Sequence, residues 1–343
     1  MNSVEISKVS IALCTYNGES FLSEQLESFI RQTRLPDELV IGDDCSNDKT
    51  VKIIEDFAKA APFPVRLKIN EKNSGSTKNF EQTILRCTGD LIFLSDQDDI
   101  WLPEKLEKIA AEFEKSDKIG LVFSDAALVG ENLEPLGYNL WNFSFTIKEQ
   151  RKAKKQKMLE VLIDRNVVTG ATMAFRAWFR ELFSPIPTDI PFTIHDAWIA
   201  LVIAANADVA VIKQPLIKYR QHSNQQLGIN LQFKRKLKQQ TRQEKYEESI
   251  CFQIKDLERL AKLAEIIQKY PQLERKEKKL SITQLIKISM LTRYQKIQHY
   301  EARKNISSEK LKRIVLIWRE LKTGRYHRYS RGLISVAIDL LEN

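Results

Sequence analysis

Four cysteines in 343 residues, Cys14, Cys45, Cys87 and Cys251, are too few and too scattered for a disulfide framework. No C-x-x-C pair occurs, so spacing offers no zinc site, and reduced cytosolic thiols are expected. Long apolar runs are also lacking. The longest uncharged apolar stretch, near Ala197–Ala207, falls well short of the ~20 residues a membrane-spanning helix needs. Residues 1–14 carry acidic and polar groups ahead of a short apolar run, so no secretory leader is expected. Glycine is sparse, and the turn Thr15-Tyr16-Asn17-Gly18 after the first apolar run holds only one. A nucleotidyltransferase-like protein would want a glycine-rich phosphate loop there, so that class is disfavoured.

A hydrophobic fraction of 43% and a charged fraction of 29% describe a chain able to bury a sizeable core. The net charge of +9 is unevenly spread. Residues 229–343 hold 27 Lys and Arg against 13 Asp and Glu, while residues 1–228 hold 27 against 32. This predicts an acidic body, 1–228, and a basic appendage, 229–343, suited to an anionic partner.

Periodicity in the body alternates. Short apolar runs at Val9–Leu13, Glu38–Gly42, Val65–Ile69, Leu91–Leu94 and Leu121–Asp125 are separated by helical patterns, one of them started by Pro103. Val167–Arg176, with its small-residue stretch 168–172, reads as a strand and turn, and Val209–Ile212 and Leu216–Tyr219 as two short strands. Strand–helix alternation predicts an α/β fold, a mostly parallel, Rossmann-like sheet with helices on both faces. Ligands of such sheets lie beyond the carboxyl ends of the strands. The polar clusters at 15–18, 43–48, 73–75 and 96–99 all follow strands and should meet along one edge. From residue 229, apolar residues recur at helical spacing among dense charges. Three or four amphipathic helices are expected, with breaks at Pro271, near Ser281 and at Ser307-Ser308.

Asp96-Gln97-Asp98-Asp99 places three carboxylates in four residues after a buried strand. Their repulsion calls for a compensating cation. Oxygen donors of this kind suit Mg²⁺ or Mn²⁺, bound through one or two carboxylates and substrate phosphates. The plain alternative is a solvated turn capping the next helix. Asp44 could accept a hydrogen bond from a base or ribose, and capping is again the alternative for this turn.

The motifs at 9–18, Asp43-Asp44-Cys45-Ser46, Asn73-Ser74-Gly75, Gly89-Asp90 leading to 95–101, Thr169-Gly170-Ala171, His195-Asp196-x-Trp198 and Tyr219-Arg220-Gln221-His222 follow in one order. That ordered set resembles family 2 glycosyltransferases, of GT-A fold, and most of all bacterial rhamnosyltransferase-type members that build surface polysaccharides. The resemblance covers residues 8–228 and leaves the helical appendage outside it. It implies that Thr15, Tyr16, Asn17, Asn73 and Gly75 lie against the nucleotide sugar and that Asp44 binds the base or ribose. It implies a metal and diphosphate site of Asp96 and Asp98, with His222 as a further contact and Arg220 assisting. Asp196 falls at the place of the catalytic base, and Gly170 and Trp198 border the acceptor or sugar. The plain alternatives are a helix cap for Asp196, a surface histidine for His222, a turn for Gly170 and packing for Trp198.

The activity so implied is inverting, metal-dependent transfer from a dTDP- or UDP-linked sugar to a hydroxyl of a saccharide or lipid-linked saccharide. The implied location is the cytoplasm. For the basic appendage two readings stand open: a helical domain packed for stability, or a basic face for anionic membrane at the inner surface. The competing classes are a non-catalytic nucleotide-sugar binder, a phosphatase using Asp96, and a nucleic-acid binder. The phosphatase leaves the earlier motifs unexplained. Nucleic acid accounts for the appendage and for none of the acidic clusters, so no nucleic acid partner is expected.

Overall fold

A computed structural model describes residues 7–190, 194–223, 225, 241–270, 276–277 and 280–341. The chain divides into two compact units, Met1–Ile229 and Asn230–Asn343. The expected boundary at 228/229 and the break at Pro271 lie outside the described residues.

The first unit opens with β1 (Val9–Thr15), α1 (Leu22–Ile30), β2 (Glu38–Asp43), α2 (Thr50–Ala60), β3 (Val65–Ile69), α3 (Ser76–Arg86), β4 (Leu91–Ser95), β5 (Ile100–Trp101) and α4 (Lys105–Glu114). It continues with β6 (Ile119–Val129), β7 (Pro135–Asn139), α5 (Trp141–Ser144), α6 (Ile147–Ala153), α7 (Met158–Asp164), β8 (Met173–Arg176), α8 (Arg180–Phe183), α9 (His195–Asn206) and β9 (Asp208–Arg220). One nine-stranded sheet runs β3-β2-β1-β4-β8-β6-β9-β5, with β7 beside β6. Strands β1, β2, β3 and β4 are mutually parallel, and β6 and β9 share their direction because β8 is antiparallel to both β4 and β6. The sheet is therefore mostly parallel, as expected for GT-A.

Every residue of β1, β2 and β4 is buried, which explains their unbroken apolar character. Helix α9 is buried along all of its length, consistent with a helix apolar on every side.

Two expectations are corrected and one is refined. Within 167–176 the small-residue stretch is the turn, with Gly170–Thr172 a tight 3₁₀ turn, and the strand is the segment after it, β8, inserted antiparallel between β4 and β6. The two short strands near residue 212 are one, β9. Its register against β6 shifts where Asp125 faces Pro215, a residue with no N–H for the ladder. Helix α4 starts at Lys105 with Glu104 as its N-cap, so Pro103 precedes the helix instead of opening it.

The second unit holds α10 (Arg242–Lys269), a strand pair β10 (Lys276–Glu277) and β11 (Leu280–Ser281), and α11 (Ile282–Lys304), α12 (Lys310–Lys322), α13 (Arg325–Tyr329) and α14 (Leu333–Leu341). Reciprocal capping boxes, Thr241 with Glu244 and Ser281 with Gln284, start its two long helices. No helix among the described residues is long and apolar enough to cross a membrane.

Candidate functional site

The carboxyl ends of β1, β2, β4 and β9 and the start of α9 open onto one cavity of about 610 Å³. Its lining includes Thr15, Tyr16, Asp44, Asn73, Gly75, Asp96, Asp98, Gly170, Asp196, Arg220 and His222. Two residues read as site members lie elsewhere. Asn17, at φ 47°, uses its side-chain oxygen to accept from the Asn47 amide, 2.9 Å, and is a turn residue. Trp198 is buried, and its indole N–H donates to the Phe183 carbonyl at 3.0 Å, so it packs α9 in place.

Side chains tie the loops of this rim to one another. The Gln97 amide accepts from the Tyr16 N–H, 2.8 Å, and donates to the Tyr16 carbonyl, 3.0 Å. Thr15 donates to Asp43, 2.7 Å, which also receives Ser46. Asp44 accepts from Asn70, from the amide and hydroxyl of Ser74, and from the Gly75 amide, all at 2.8–2.9 Å. Gly75 holds φ 82°, a backbone that side chains rarely adopt. Burial works to raise the Asp44 carboxyl, but those bonds outweigh it and hold the group below its usual range. Three of these bonds fall on Oδ1 and one on Oδ2, so Asp44 shapes the 73–75 loop while Oδ2 keeps an acceptor position for the base or ribose that the sequence suggests. Tyr16 leaves an exposed ring at the mouth.

Beyond β4 the chain concentrates acid. Burial first, then Asp98 and Asp196, push Asp96 up to about 7 despite Lys105. Asp99 is buried; burial, then Asp98 and Asp96, raise it well above the carboxylate range, although it accepts the Arg220 amide. Its second oxygen has no hydrogen-bond partner. Asp98 meets the His222 ring nitrogen Nε2 at 2.9 Å, and His222 rests on Phe21. Among the described residues no three His, Cys, Asp or Glu groups form a metal cage. The donor set nevertheless fits a divalent ion completed by phosphate oxygens. Two donors 2.9 Å apart match the ~3.0 Å separation of adjacent ligands around an octahedral ion with ~2.1 Å bonds. The surplus carboxylates supply the charge that such an ion neutralises.

Arg220 is buried and committed to protein. It donates to the Asp98 carbonyl at 2.7 Å, to the Glu131 carbonyl and to Glu24 at 2.5 Å, over the Phe21 ring. These bonds give it the structural task of holding Asp98, while it also lines the cavity in which the sequence expects a diphosphate contact. Lys105, which the sequence does not single out, is fully buried behind the acidic turn. Its ammonium donates to the Ala171 carbonyl at 2.5 Å and lies 3.6 Å over Trp101. Burial drives its pKa well down, opposed by Asp99 and Asp96.

Across the cavity, Asp196 occupies the first turn of α9. The helix N-cap is Ile194, so the carboxylate is not the cap. It accepts from the Gly170 amide at 3.0 Å and from Asn166 at 3.3 Å. Burial raises it to about 6, against the Gly170 and Ala197 amides. Beside it, His195 stacks on Phe80 at 3.9 Å, and neither ring nitrogen has a hydrogen-bond partner. Burial lowers its pKa to about 3, so the ring is neutral. Gln97, Asn166, Lys105 and His195 are the site residues that sequence reasoning missed.

Gly170 is needed for close approach: a Cβ there would sit 3.0 Å from His195 Nε2. Gly170→Ala should shift the His195-Asp196 pair by tenths of an ångström. A 1 Å misplacement costs ~10²-fold, so kcat should fall roughly tenfold with KM for the nucleotide sugar little changed. Steady-state kinetics would measure this, and an unchanged kcat would show that the fit is loose.

Residues 10–183 match the family model for Glycosyl transferase family 2. The chain belongs to that family. The glycosyltransferase is 28% identical over 249 residues to the dTDP-rhamnosyl transferase RfbG of Shigella flexneri, covering 66% of this chain and 77% of that one. It is 37% identical over 122 residues to the uncharacterized glycosyltransferase YwdF of Bacillus subtilis strain 168, covering 36% of this chain and 43% of the relative. The alignment thus spans less than half of that relative's length. Among solved structures it is similar to the mannosyltransferase PcManGT of Pyrobaculum calidifontis in complex with GDP-Man and Mn²⁺. That match has a TM-score of 0.50 at 15% identity and covers 98% of this chain and 88% of the other. At this identity the likeness concerns the fold, which is GT-A. The glycosyltransferase's cavity lies at the carboxyl ends of the strands, where open α/β sheets bind their ligands.

Proposed function

We propose that this glycosyltransferase moves a sugar from a dTDP- or UDP-linked donor to a hydroxyl of a saccharide or lipid-linked saccharide, with inversion, in assembly of a bacterial surface polysaccharide or glycolipid. The observation that carries this reading is the single cavity that joins a buried carboxylate, Asp196, to the Asp96–Asp98 turn. The relationship to a dTDP-rhamnosyl transferase supports a dTDP-linked donor.

The four carboxylates lining the cavity among the described residues divide the work. Asp44 braces its 73–75 loop and would accept from the base or ribose. Asp96 and Asp98, with His222, would hold Mg²⁺ or Mn²⁺, which when bound supplies Lewis-acid stabilisation of the departing diphosphate. Asp196 remains as the base. As the acceptor oxygen bonds to the anomeric carbon, its proton passes to Asp196. The bond from that carbon to the phosphate oxygen breaks, and its electron pair leaves with the nucleoside diphosphate. One displacement inverts the centre. A retaining route through a covalent intermediate would need a second positioned nucleophile on the sugar, and no carboxylate is left for that role.

The test is calorimetric titration of UDP, dTDP and GDP with and without Mn²⁺ or Mg²⁺, on wild type and Asp98→Ala. Expected is metal-dependent binding of dTDP or UDP, weakened at least about tenfold in the variant, the lower end of second-shell and ligand losses at metal sites. Equal affinity in chelator would overturn the metal role. Product anomeric configuration by NMR would settle inversion.

A further inference from the structure

Helices α12 and α14 wear their polarity inside out. On α12 the residues facing the interior are Arg313, Ile317 and Glu320, whereas Leu311, Ile314, Val315 and Trp318 face outward at i, i+3, i+4 and i+7. Leu311 is 76% exposed and Trp318 58%. Helix α14, packed against α12, repeats the pattern: Ser335 and Asp339 are buried, and Leu333, Ile334, Ile338, Leu340 and Leu341 are exposed.

The buried charges are satisfied. Asp339 accepts from Arg303, Arg242 and the Tyr326 hydroxyl at 2.6–2.8 Å. Glu320 pairs with His299 at 2.7 Å and with Arg325. Arg313 donates to the carbonyls of Ser307, Ser308 and Leu340. The orientation of these helices is therefore fixed by a buried polar network, and the outward apolar stripe is its consequence. A contiguous stripe of that kind marks an interaction surface.

We propose that the α12–α14 face docks on an anionic lipid bilayer surface. Charge complementarity selects this occupant. Residues 310–331 hold eight Lys and Arg against the one acid Glu320, and the exposed Lys310, Lys312, Arg319 and Lys322 rim the α12 stripe. A second copy on the same face would bring these cations against one another, which opposes self-pairing. Apolar residues entering the headgroup region while basic side chains meet anionic headgroups is the mode of interfacial amphipathic helices. Their reach is interfacial, because no described helix can span the bilayer.

The experiment is flotation of the full chain with phosphatidylglycerol–phosphatidylcholine vesicles and with phosphatidylcholine vesicles alone. Two variants are compared: Leu311→Glu with Trp318→Glu, and Lys312→Gln with Arg319→Gln and Lys322→Gln. All five positions are exposed, and an unchanged thermal midpoint checks that each variant folds. Binding is expected to the anionic vesicles and not to the neutral ones. Each variant should lose about tenfold or more, the first because it removes apolar insertion and adds acid facing the anionic headgroups, the second because each basic group near an anionic surface is worth ~1 kcal/mol. Salt at about 0.5 M, which screens beyond a few ångström, should do the same. Failure to float with anionic vesicles, or undiminished binding by both variants, would overturn the proposal. So would a wild-type dimer, seen by light scattering, that the Trp318→Glu variant breaks while neither protein floats.

Discussion

Asp196→Asn should remove turnover and at the same time make the protein more stable. The base of the displacement disappears, so kcat should fall by about 10²–10⁴-fold, the usual span for a positioned acid–base group. The Asn oxygen still accepts the Gly170 amide, and the variant gives up the long 3.3 Å bond from Asn166, whose NH₂ would face the new NH₂. The stability change follows from the folded-state pKa of about 6, raised from 3.8. A carboxyl with a raised folded pKa favours the fold when protonated, and that advantage is lost as pH rises from about 4 through about 6. At neutral pH the charged group costs up to about 3 kcal/mol, since each tenfold change in its acidity on folding is worth ~1.36 kcal/mol. The neutral variant avoids this cost, so its thermal midpoint should exceed the wild type's by several degrees above pH 6 and match it below pH 4. In the wild type, kcat/KM should rise with pH through about 6 as the base ionises. A variant that keeps more than a tenth of wild-type kcat would remove Asp196 from the chemistry.

Arg220→Met should be the most damaging single change to the fold near the site. It strips donors from the carbonyls of Asp98 and Glu131 and a cation from beside Phe21. Both carbonyls are only partly buried, so each orphaned acceptor costs at the low end of ~1–3 kcal/mol and the loss should be about 2–3 kcal/mol. The Glu24 partner contributes little, because its side chain is 52% exposed and water screens it. Glu24→Gln should therefore cost under about 1 kcal/mol. Denaturant unfolding should show a lower midpoint at constant slope. Since the arginine anchors the Asp98 backbone, kcat should fall about 10²-fold as well. Similar losses in the two variants would place the energy in the ion pair instead.

Much of the fold could be read from the chain because its central strands are buried on both faces and so appear as unbroken apolar runs. The order of polar clusters behind those runs located the cavity. What escaped the reading depends on pairing at a distance. Strand β8 is four residues, and only its place between β4 and β6 distinguishes it from a turn. Pro215 interrupted β9 as a pattern while the strand continued as a bulge. Asn17 and Trp198 sit inside well-marked motifs, yet their polar atoms are used within the protein, which no spacing reveals. Lys105 was invisible for the opposite reason. A lysine in an amphipathic helix reads as solvent-facing, and only the acidic turn folded against it explains its burial.

The bracing of the rim has a kinetic and entropic side. Gln97 grips the Tyr16 backbone, Asp44 grips 74–75, Asn17 grips 47, and Asp43 grips Thr15 and Ser46. Apart from Asp43–Ser46, which lies within one turn, each bond joins segments that the chain separates, so the shelf is ordered before any ligand arrives. A donor molecule then meets a surface whose side chains have already surrendered their rotational freedom, and association forfeits little of it again. Amide hydrogens of Tyr16, Ser74 and Gly75 should exchange slowly even in the empty enzyme, and recognition on this side should resemble fitting a rigid die more than closing a hand.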